Sequence, residues 1–447
     1  MRKTLLLLSC TAMFALAACT GESSRPTASG TAGFRAINAM PTSPTVTMLI
    51  EERLVANVDF KNATGSSTYD DLDYIFNFEL RLAGDLTRTR VASVPVETVR
   101  DMQYTFVLTG PIASPNITVW EESQREWLET DTVFQARFAH VAASQGPVDV
   151  YFLAPGIAPA IGLEAGTLAF DELLAAVDYP AGDYIIYFTT AGDPNDILFT
   201  SSTVTPLVRA GFTIFIFDTD ANDVGPLSVR SIDDNGSESR VVDVGIMPTV
   251  RFFHASSDLI ASDVYIDEML TDQILNNHTF LDVTGDLPVA AGSFPITYTE
   301  AGNIGNILYE DTTNFFDGVH NQYYVVGEMD AYISLLLVPD RRSVETLVKF
   351  SFLHTATNHD LVDLYIVEPG TDIAEALPRF FNLSVGISPV LVDLLEGDLE
   401  LYLTPSGETT VLAGPIAISP VYGDVLDYIS YNNVDPAIAD LVAIPLP

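Results

Sequence analysis

Residues 250–266 read VRFFHASSDLIASDVYI and contain the pattern that repeats along this chain. The β-branched and aromatic residues leading up to His254 are typical of a β-strand, and a second strand-like segment opens nine residues later at Asp263. The stretch therefore predicts two short strands that open a β-domain as a hairpin. The same pair of residues occurs twice more at the same offset: His140 with Asp149, and His354 with Asp363.

A weaker fourth copy precedes these three. Asn38 stands where the histidine is expected, and Thr47 stands where the aspartate is expected. Alignment of Asn38 with the three histidines gives spacings of 102, 114 and 100 residues. This period is much longer than that of a solenoid repeat and is long enough for each copy to form its own hydrophobic core. The repeats therefore predict four tandem domains.

Short strand-like segments fill each predicted domain, separated by Gly, Pro, Asn and Asp; only 170–177 suggests a helical turn. This pattern predicts an all-β chain: four tandem antiparallel β-sandwich domains of immunoglobulin-like type after a signal peptide. One turn in each copy has a glycine at the equivalent position, because a positive φ there is unfavourable for residues with a Cβ. These turn glycines are Gly84, Gly192, Gly302 and Gly407.

The domain boundaries are predicted from the repeats and from the turn-rich segments between them. The segment 339–343, PDRRS, joins the last two copies, and such short connections predict a semi-rigid string of domains. The expected divisions are a signal peptide at 1–18, a lipidated cysteine with a flexible tether at 19–33, a divergent first domain at 34–130, and further domains at 131–244, 245–343 and 344–447.

Composition limits the classes of partner. With 48% hydrophobic residues the chain has enough apolar side chains for real cores. Sixty acidic residues against 20 basic ones give a net charge of −40, and such a surface repels nucleic acid and anionic lipid headgroups. The sequence therefore predicts no nucleic-acid partner, and we interpret the acidity as favouring solubility.

The N-terminus predicts a lipid anchor. Arg2 and Lys3 precede a short apolar segment, as in secretory signals. This segment ends in Leu16-Ala17-Ala18-Cys19, which resembles the bacterial lipobox and implies cleavage before Cys19 and attachment of lipid to its thiol. Thr20, rather than Asp, follows the cysteine, which resembles the default route of Gram-negative lipoproteins to the outer membrane. We therefore expect a lipid-anchored protein of the bacterial cell envelope, in the outer membrane.

The repeated segments also resemble a known family. Val250–Ser256, the Asp263-Val264-Tyr265 segment and the Ala301-Gly302 turn are similar to the DUF4397 family, whose domains open with V-R-F-x-H-A-S followed by D-V-Y. The resemblance covers most of residues 34–447 and is strongest in the third copy. It implies tandem domains on secreted or surface-anchored bacterial proteins. It supplies no active site, because the family has no assigned catalytic residues.

The repeated His–Asp pairs have two interpretations. If the two strands bring the side chains together, His254 and Asp263 orient an imidazole for general-base catalysis in a hydrolase, or for a metal ion. No serine, however, lies in a nucleophile-elbow motif. A residue that recurs in three tandem copies is more simply a determinant of the fold, so we predict that each imidazole fixes a loop by hydrogen bonds. The histidines that do not recur are predicted at the surface: His278, His320 and His359.

Two further patterns suggest ligands. Asp218, Asp220 and Asn222 place oxygen atoms at alternating positions, as calcium loops do, but the segment lacks the Gly and Glu of an EF-hand. Several aromatic residues are candidates for stacking on sugar rings. For both patterns the simpler interpretation, a solvated turn or a packed core, is the prediction, and we expect no metal or cofactor. The aromatic candidates are Trp120, Trp127, Tyr323, Tyr324 and Tyr431.

These features favour a non-enzymatic protein that presents tandem β-sandwich domains at the cell envelope for binding, adhesion or envelope organisation. Its expected partners are the membrane, through the lipid anchor, and an unknown protein or glycan ligand. The alternatives are a carbohydrate- or calcium-dependent adhesin and a hydrolase that uses the His–Asp pairs.

Overall fold

The chain is built from β-strands and turns. Within the described residues no helix is present, so the prediction of an all-β chain is confirmed, and no described segment is a helix that could cross a membrane. The segment 170–177, which suggests a helical turn in the sequence, instead contains a two-residue strand. The predicted signal peptide and Cys19 lie outside the described residues. The structure, a computed structural model, describes residues 27–328, 331–386, 390–433, 435 and 437–445.

The strands fall into four consecutive sets, here called units 1 to 4. Unit 1 contains β1 (Thr31–Asn38), β2 (Val46–Ile50), β3 (Arg53–Val58), β4 (Ser67–Asp70), β5 (Tyr74–Leu80), β6 (Thr89–Val96), β7 (Met102–Thr109) and β8 (Asn116–Ser123). Unit 2 contains β9 (Val133–His140), β10 (Val148–Leu153), β11 (Gly166–Leu168), β12 (Glu172–Leu173), β13 (Val177–Pro180), β14 (Ile185–Thr190), β15 (Ile197–Thr200), β16 (Gly211–Phe217), β17 (Ser228–Asp233) and β18 (Glu238–Arg240).

Units 3 and 4 have the same number of strands as unit 1. Unit 3 contains β19 (Thr249–His254), β20 (Ser262–Tyr265), β21 (Gln273–His278), β22 (Leu287–Pro288), β23 (Gly292–Glu300), β24 (Asn303–Phe315), β25 (His320–Val326) and β26 (Ile333–Leu337). Unit 4 contains β27 (Val348–His354), β28 (Leu361–Val367), β29 (Phe380–Ser384), β30 (Val390–Leu394), β31 (Leu399–Pro405), β32 (Ala413–Ile418), β33 (Val425–Asn432) and β34 (Ala439–Ile444).

Each unit forms two sheets, and the strand order recurs. In unit 1 the orders are β4-β1-β7-β8 and β3-β2-β5-β6. Units 3 and 4 repeat it as β22-β19-β25-β26 with β21-β20-β23-β24, and as β30-β27-β33-β34 with β29-β28-β31-β32. Unit 2 pairs β11-β10-β14-β15 with the larger sheet β12-β9-β16-β17-β18, in which β13 also joins β9. Each unit has a hydrophobic core formed by side chains from both of its sheets, so the predicted tandem β-sandwiches are confirmed.

The first strand begins earlier than the sequence suggests. Thr31, Ala32 and Gly33 belong to β1, and Ala32 is buried in the unit 1 core, although the sequence assigns these residues to the flexible tether. Pairing of Thr31 with Asp70 on β4 orders this stretch. A composition rich in small polar residues does not by itself prevent strand formation where a neighbouring strand supplies hydrogen bonds.

One strand pair in each unit is parallel rather than antiparallel. The first strand of every unit lies between neighbouring strands of its sheet. In the eight-strand units it runs parallel to the seventh strand, as β1 does with β7 and β19 does with β25. In unit 2 the equivalent parallel pair is β9 with β16, and in unit 4 it is β27 with β33. The remaining ladders are antiparallel, so the units are antiparallel sandwiches with one parallel pair each.

The first strand is buried on both faces, which explains its nearly continuous apolar sequence. In β19, Val250 and Phe252 point into the core of unit 3. The alternate residue Phe253 faces the opposite way and stacks on Tyr324 with ring centroids 4.3 Å apart. Together with Ala255 it belongs to a second cluster that includes side chains from unit 4. The motif therefore encodes two packing surfaces at once.

The outward faces of the first strands join the units in pairs. A cluster between units 1 and 2 (the 1–2 interface) combines Ile37 and Phe60 with Phe215 and Ile232. A matching cluster between units 3 and 4 (the 3–4 interface) combines residues on both sides of the pair: Phe253, Ala255, Tyr324 and Val326 with Leu353, Ile429 and Ile444. Apolar burial of this kind is the main favourable term in such contacts.

The short connection between units 3 and 4 contacts all four units. Asp340 accepts a hydrogen bond from Asn222 of unit 2 at 2.9 Å and forms an ion pair with Lys349 of unit 4. Arg341 binds both carboxylate oxygens of Asp286 in unit 3, at 2.8 and 3.0 Å. Arg342 donates to the carbonyl oxygens of Pro41 and Ser43 in unit 1. The string of domains predicted from the short linkers is therefore wrong, because this segment holds the units against one another.

Candidate functional site

The repeated histidines are buried and fix loops. His140 is fully buried, and its Nε2 lies 3.1 Å from the carbonyl oxygen of Gly146, while its Nδ1 accepts the backbone N–H of Ala142 at 3.3 Å. A carbonyl can only accept, so Nε2 bears the proton in the neutral ring. Burial lowers the pKa of His140 and keeps it neutral. The imidazole thus joins the end of β9 to the loop that follows.

His354 makes the equivalent contacts in unit 4. Its Nε2 lies 2.7 Å from the carbonyl oxygen of His359, and its Nδ1 lies 2.7 Å from the hydroxyl of Ser430 on β33. Burial lowers the pKa of His354 to about 4. In both units the ring donates to a carbonyl five or six residues further along the chain.

Asn38 performs the same task in unit 1 with a different side chain. Its Oδ1 accepts the N–H of Met40 at 3.1 Å, as Nδ1 of His140 accepts that of Ala142. Its Nδ2 donates to the hydroxyl of Ser43 at 2.8 Å. An amide offers one acceptor and one donor at nearly the spacing of the two ring nitrogens. The copy that departs from the sequence pattern therefore retains its hydrogen bonds.

His254 differs from the other two, although it belongs to the copy with the strongest motif. Its ring is packed beside that of His278, with centroids 5.5 Å apart. Within the described part of the chain, no protein group meets the geometry for a hydrogen bond to either ring. Burial, and then the adjacent His278, lower the pKa of His254 to about 4. The predicted surface position of His278 is wrong, because this side chain is buried.

The repeated aspartates hold the turn glycines. Asp263 lies on β20, between β21 and β23. One carboxylate oxygen accepts the N–H of Asn277 on β21 at 2.9 Å, and the other accepts the N–H of Gly302 at 2.9 Å. Gly302 has φ of 75°, in the left-handed region, where its N–H is directed at the carboxylate. The buried carboxyl group of Asp263 therefore joins β20 to β21 and to the turn between β23 and β24.

The same arrangement occurs in units 2 and 4. Asp149 accepts the N–H of Gly192 at 2.7 Å, and Asp363 accepts that of Gly407 at 2.9 Å. These glycines also have positive φ, 82° and 76°. The aspartate and the glycine about 40 residues later are separate features in the sequence. In the structure they are the acceptor and the donor of one hydrogen bond.

Unit 1 has a threonine in place of the aspartate, and its turn contacts another unit. Thr47 donates to the amide oxygen of Asn57. Gly84, with φ of 78°, donates its N–H to the hydroxyl of Tyr422 in unit 4 at 3.0 Å. The N–H that a carboxylate satisfies in the other units is here used for contact between units.

The His and Asp of a pair do not act together. The two strands that contain them belong to opposite sheets, β19 and β20 in unit 3, so the predicted opening hairpin is wrong. The seven residues between the strands are enough to cross from one sheet of a sandwich to the other, about 10 Å. In the described residues no hydrogen bond or ion pair joins the His to the Asp of its pair; each instead binds backbone or hydroxyl groups, except His254. The three repeated His–Asp pairs, all within the described residues, therefore supply no oriented imidazole–carboxylate pair.

The acidic loop at 218–223 is occupied by protein donors. Asp218 accepts hydrogen bonds from the backbone of Ala143 and Ser144 at 3.0 and 2.8 Å. Asp220 and Asp223 both form ion pairs with the buried amine of Lys61 from unit 1. These contacts do not favour the calcium interpretation, because the carboxylate oxygens already have protein partners. The described residues also contain no group of three or more His, Cys, Asp or Glu arranged to hold a metal ion.

Asn222, the last of the three calcium candidates, belongs to the contact with the 340–342 segment. Its Oδ1 accepts the N–H of Arg341 at 2.6 Å and its Nδ2 donates to Asp340 at 2.9 Å. His320, predicted at the surface, is only partly exposed, and its Nε2 lies 3.3 Å from the carbonyl oxygen of Asp223. The loop that resembles a cation site is a contact between units 1, 2 and 3 and the connecting segment.

Most of the aromatic candidates are unavailable to a sugar. Tyr323 and Tyr324 are buried, the former in the unit 3 core and the latter in the 3–4 interface. Trp120 stacks on Phe215 across the 1–2 interface, with centroids 6.1 Å apart. The guanidinium of Arg125 lies 4.1 Å from the ring centre of Trp127 and occupies one face. Tyr431, half-buried, packs edge-on against Phe280.

The arginine of the V-R-F segment also recurs, and its role is not evident from the sequence. An arginine stands three positions before the Asn or His in units 1, 2 and 3, and each one reaches the partner unit of its pair. Arg35 donates to the carbonyl oxygen of Asp233 at 3.2 Å, and Arg251 donates to that of Pro445 at 2.7 Å. Arg137 pairs with Glu122 of unit 1. The signal was available, because a charged residue at a fixed place in an apolar strand requires a partner.

Comparison with known proteins gives a family and no activity. The sequence profile of a family described as a domain of unknown function (DUF4397) matches residues 32–151 and 248–365, which is 238 of the 447 residues. Each match begins within or just before the first strand of a unit pair and ends within the second strand of the following unit. No curated protein matches the chain.

Sixteen chains of solved structures match, including "The Bacillus anthracis TIE protein". The match has 9% sequence identity and a TM-score of 0.16. It covers 86% of this chain and 66% of that one, so this chain spans just under two thirds of the length of the structure it matches.

Proposed function

Because the chain belongs to the DUF4397 family, whose function is unknown, we propose from its own residues that it is a non-enzymatic binding protein of the bacterial cell envelope. In this proposal Cys19 is lipidated and anchors the chain in the outer membrane. The β-sandwich units then form a scaffold that presents a surface for binding, adhesion or envelope organisation.

The observation that carries the proposal is the use of the repeated polar residues. The aspartates are buried and hydrogen-bonded within their own units, and so are His140 and His354. Polar groups used in this way stabilise a fold and are not free to take up or give protons to a substrate. The structural use of the repeated His and Asp residues therefore supports a scaffold role for the chain. It weighs against the alternative of a hydrolase that uses His–Asp pairs.

The charge and the leader support the location. A net charge of −40 disfavours nucleic-acid partners and direct adsorption to anionic lipid, so a covalent lipid is the better means of membrane attachment. We expect Cys19→Ser to move the protein from the membrane fraction to the soluble fraction. Persistence of the variant in the membrane fraction would contradict the anchor.

A pull-down from native envelope tests the binding role. The full chain should retain an envelope component, and the retention should survive His354→Asn because this histidine has a structural role. Loss of a hydrolytic activity in that variant, measured against generic ester and glycoside substrates, would instead favour an enzyme. A thermal shift on addition of calcium would favour the calcium-dependent adhesin.

A further inference from the structure

A groove with polar and apolar lining lies between units 1 and 2. Its apolar lining is Leu173, Leu174, Ala175 and Ala176. It consists of two adjoining cavities of about 650 and about 290 Å³. The larger falls in the range of sites for small organic ligands, which often lie between domains. The residues common to both cavities come from β8, β9 and the chain between them: Glu122, Ser123, Gln124, Arg125, Gln135 and Arg137.

The floor of the groove is a rigid set of charged groups. Arg35 and Arg137 both approach Glu122, each at a different carboxylate oxygen. The three side chains are 5, 13 and 9% exposed, respectively. Arg35 is held further by a hydrogen bond from its Nε to Thr105 at 2.9 Å. Burial and these contacts restrict the three side chains.

The walls add side-chain amides. Gln103 accepts a hydrogen bond from Ser66 at 2.7 Å, and Gln135 donates to Asp178 at 3.3 Å. Gln124 is exposed, and its Nε2 donates to the amide oxygen of Gln103 at 3.4 Å. Each amide offers both donors and acceptors, and a hydroxyl of a ligand can use either. The groove therefore presents several groups suited to a ligand with many hydroxyls.

The charges along the groove balance, which points to an uncharged ligand. Three arginines face three carboxylates there: Arg35, Arg125 and Arg137 with Glu121, Glu122 and Asp234. The whole chain is strongly negative and repels anionic ligands. A ligand that is polar yet neutral avoids both the repulsion and the cost of bringing a charge into the groove.

We propose that the groove between units 1 and 2 binds a neutral saccharide, with Arg137, Glu122 and the amides of Gln124 and Gln135 as hydrogen-bonding groups. The inference rests on the proposed binding function and names its ligand class. Binding by these groups differs from aromatic stacking, the alternative that the sequence offered, since most of the aromatic candidates are packed away.

Titration of the full-length Cys19→Ser chain with neutral oligosaccharides of hexose and N-acetylhexosamine units tests this proposal. The only two tryptophans, Trp120 and Trp127, lie on or near β8, so their fluorescence reports on the groove. The paired substitution Gln124→Ala and Gln135→Ala removes two amides without disturbing the buried ion pairs. We expect it to lower affinity at least tenfold, while Gln273→Ala, an exposed glutamine of unit 3, leaves it unchanged.

Three outcomes would overturn the inference. One is absence of binding to any neutral saccharide on a glycan array, and another is equal binding by the wild-type chain and the Gln124/Gln135 variant. The third is tighter binding of acidic than of neutral saccharides. If the wild-type chain and this variant retain the same envelope component in the pull-down, the groove proposal fails while the binding function stands. If the wild-type chain retains nothing and binds no saccharide, both fail.

Discussion

Asn38 and the histidines at the equivalent position show that geometry, not proton exchange, is what this site requires. Asn38 and His140 both accept the N–H two residues later and donate to a group five or six residues later. An amide does not titrate in the physiological range, so a function that depended on imidazole protonation could not be shared by the two residues.

Substitution of His140 tests this equivalence. We expect His140→Asn to keep most of the stability of unit 2, because the amide offers the same donor and acceptor. His140→Ala leaves a cavity and an unpaired buried carbonyl, with an expected loss of about 2 kcal/mol or more. Thermal and denaturant unfolding of both variants provides the measurement. Equal destabilisation by Asn and Ala would refute the role assigned to the ring.

The buried histidines also predict acid sensitivity. The pKa of His354 is lowered to about 4 in the folded chain, against about 6.5 in an unfolded one. The unfolded state therefore binds the proton first as the pH falls, and stability is lost between about pH 6.5 and pH 4. A shift of this size corresponds to roughly 3 kcal/mol for the group.

His354→Asn isolates this contribution, because asparagine retains the hydrogen bonds without titrating. We expect the unfolding free energy of the variant to fall less steeply than that of the wild type across this window. Urea unfolding at a series of pH values measures the slope. Parallel slopes for the two proteins would mean that other groups cause the acid sensitivity.

At the scale of elements, the first strand of each unit is the most constrained. Its alternate residues face the core of their own unit and the interface with the partner unit, and its edges pair with strands on both sides. Such a strand has no face left for solvent. A unit separated from its partner would expose an apolar sheet, which is a hazard for aggregation.

Phe253→Ala tests the coupling between units 3 and 4. The ring of Phe253 belongs to the apolar cluster shared with unit 4, so its loss removes an interface contact while the unit 3 core remains intact, with an expected cost of about 3 kcal/mol. We expect the calorimetric transition of the two units to broaden or split. Phe381→Ala, at a residue 69% exposed in unit 4, is the matched control and should change stability by less than about 0.5 kcal/mol. An unaltered transition in Phe253→Ala would show that the units unfold independently.

At the scale of the whole molecule, the 340–342 segment determines how the units are arranged. Its side chains bind units 1, 2, 3 and 4 within three residues. Bidentate Arg–carboxylate pairs such as Arg341 with Asp286 are specific in direction as well as favourable in energy. These contacts hold the units against one another, in place of the semi-rigid string of domains predicted from the sequence.

Removal of both arginines of the 340–342 segment should loosen the contacts between the units. We expect Arg341→Ala with Arg342→Ala to increase the radius of gyration by several ångströms, on the order expected when domains lose their fixed contacts. Small-angle scattering measures the change, and circular dichroism checks that the sheets persist. Arg88→Ala, which replaces an exposed arginine of unit 1, should leave the radius unchanged. An unchanged radius in the double variant would mean that the apolar interfaces alone hold the arrangement.

The sequence by itself determined the local structure and the repeat of this protein. Alternating apolar residues predicted strands, and the recurrence of one motif predicted four copies. The glycine turns required a positive φ, which the four glycines have. These features depend on the preferences of neighbouring residues, which short stretches of sequence record directly. The resemblance based on residues 250–266 also identified the family.

Only the tertiary structure decided what the repeated polar residues bind. Asp263 and Gly302 are 39 residues apart, and Gly84 and Tyr422 are 338 apart. Which strands become neighbours, and which faces meet, depends on the packing of whole sheets, and no local pattern records it. For that reason the histidine and aspartate of one motif, nine residues apart in sequence, belong to opposite sheets, while the 340–342 segment, a short linker in the sequence, joins four units.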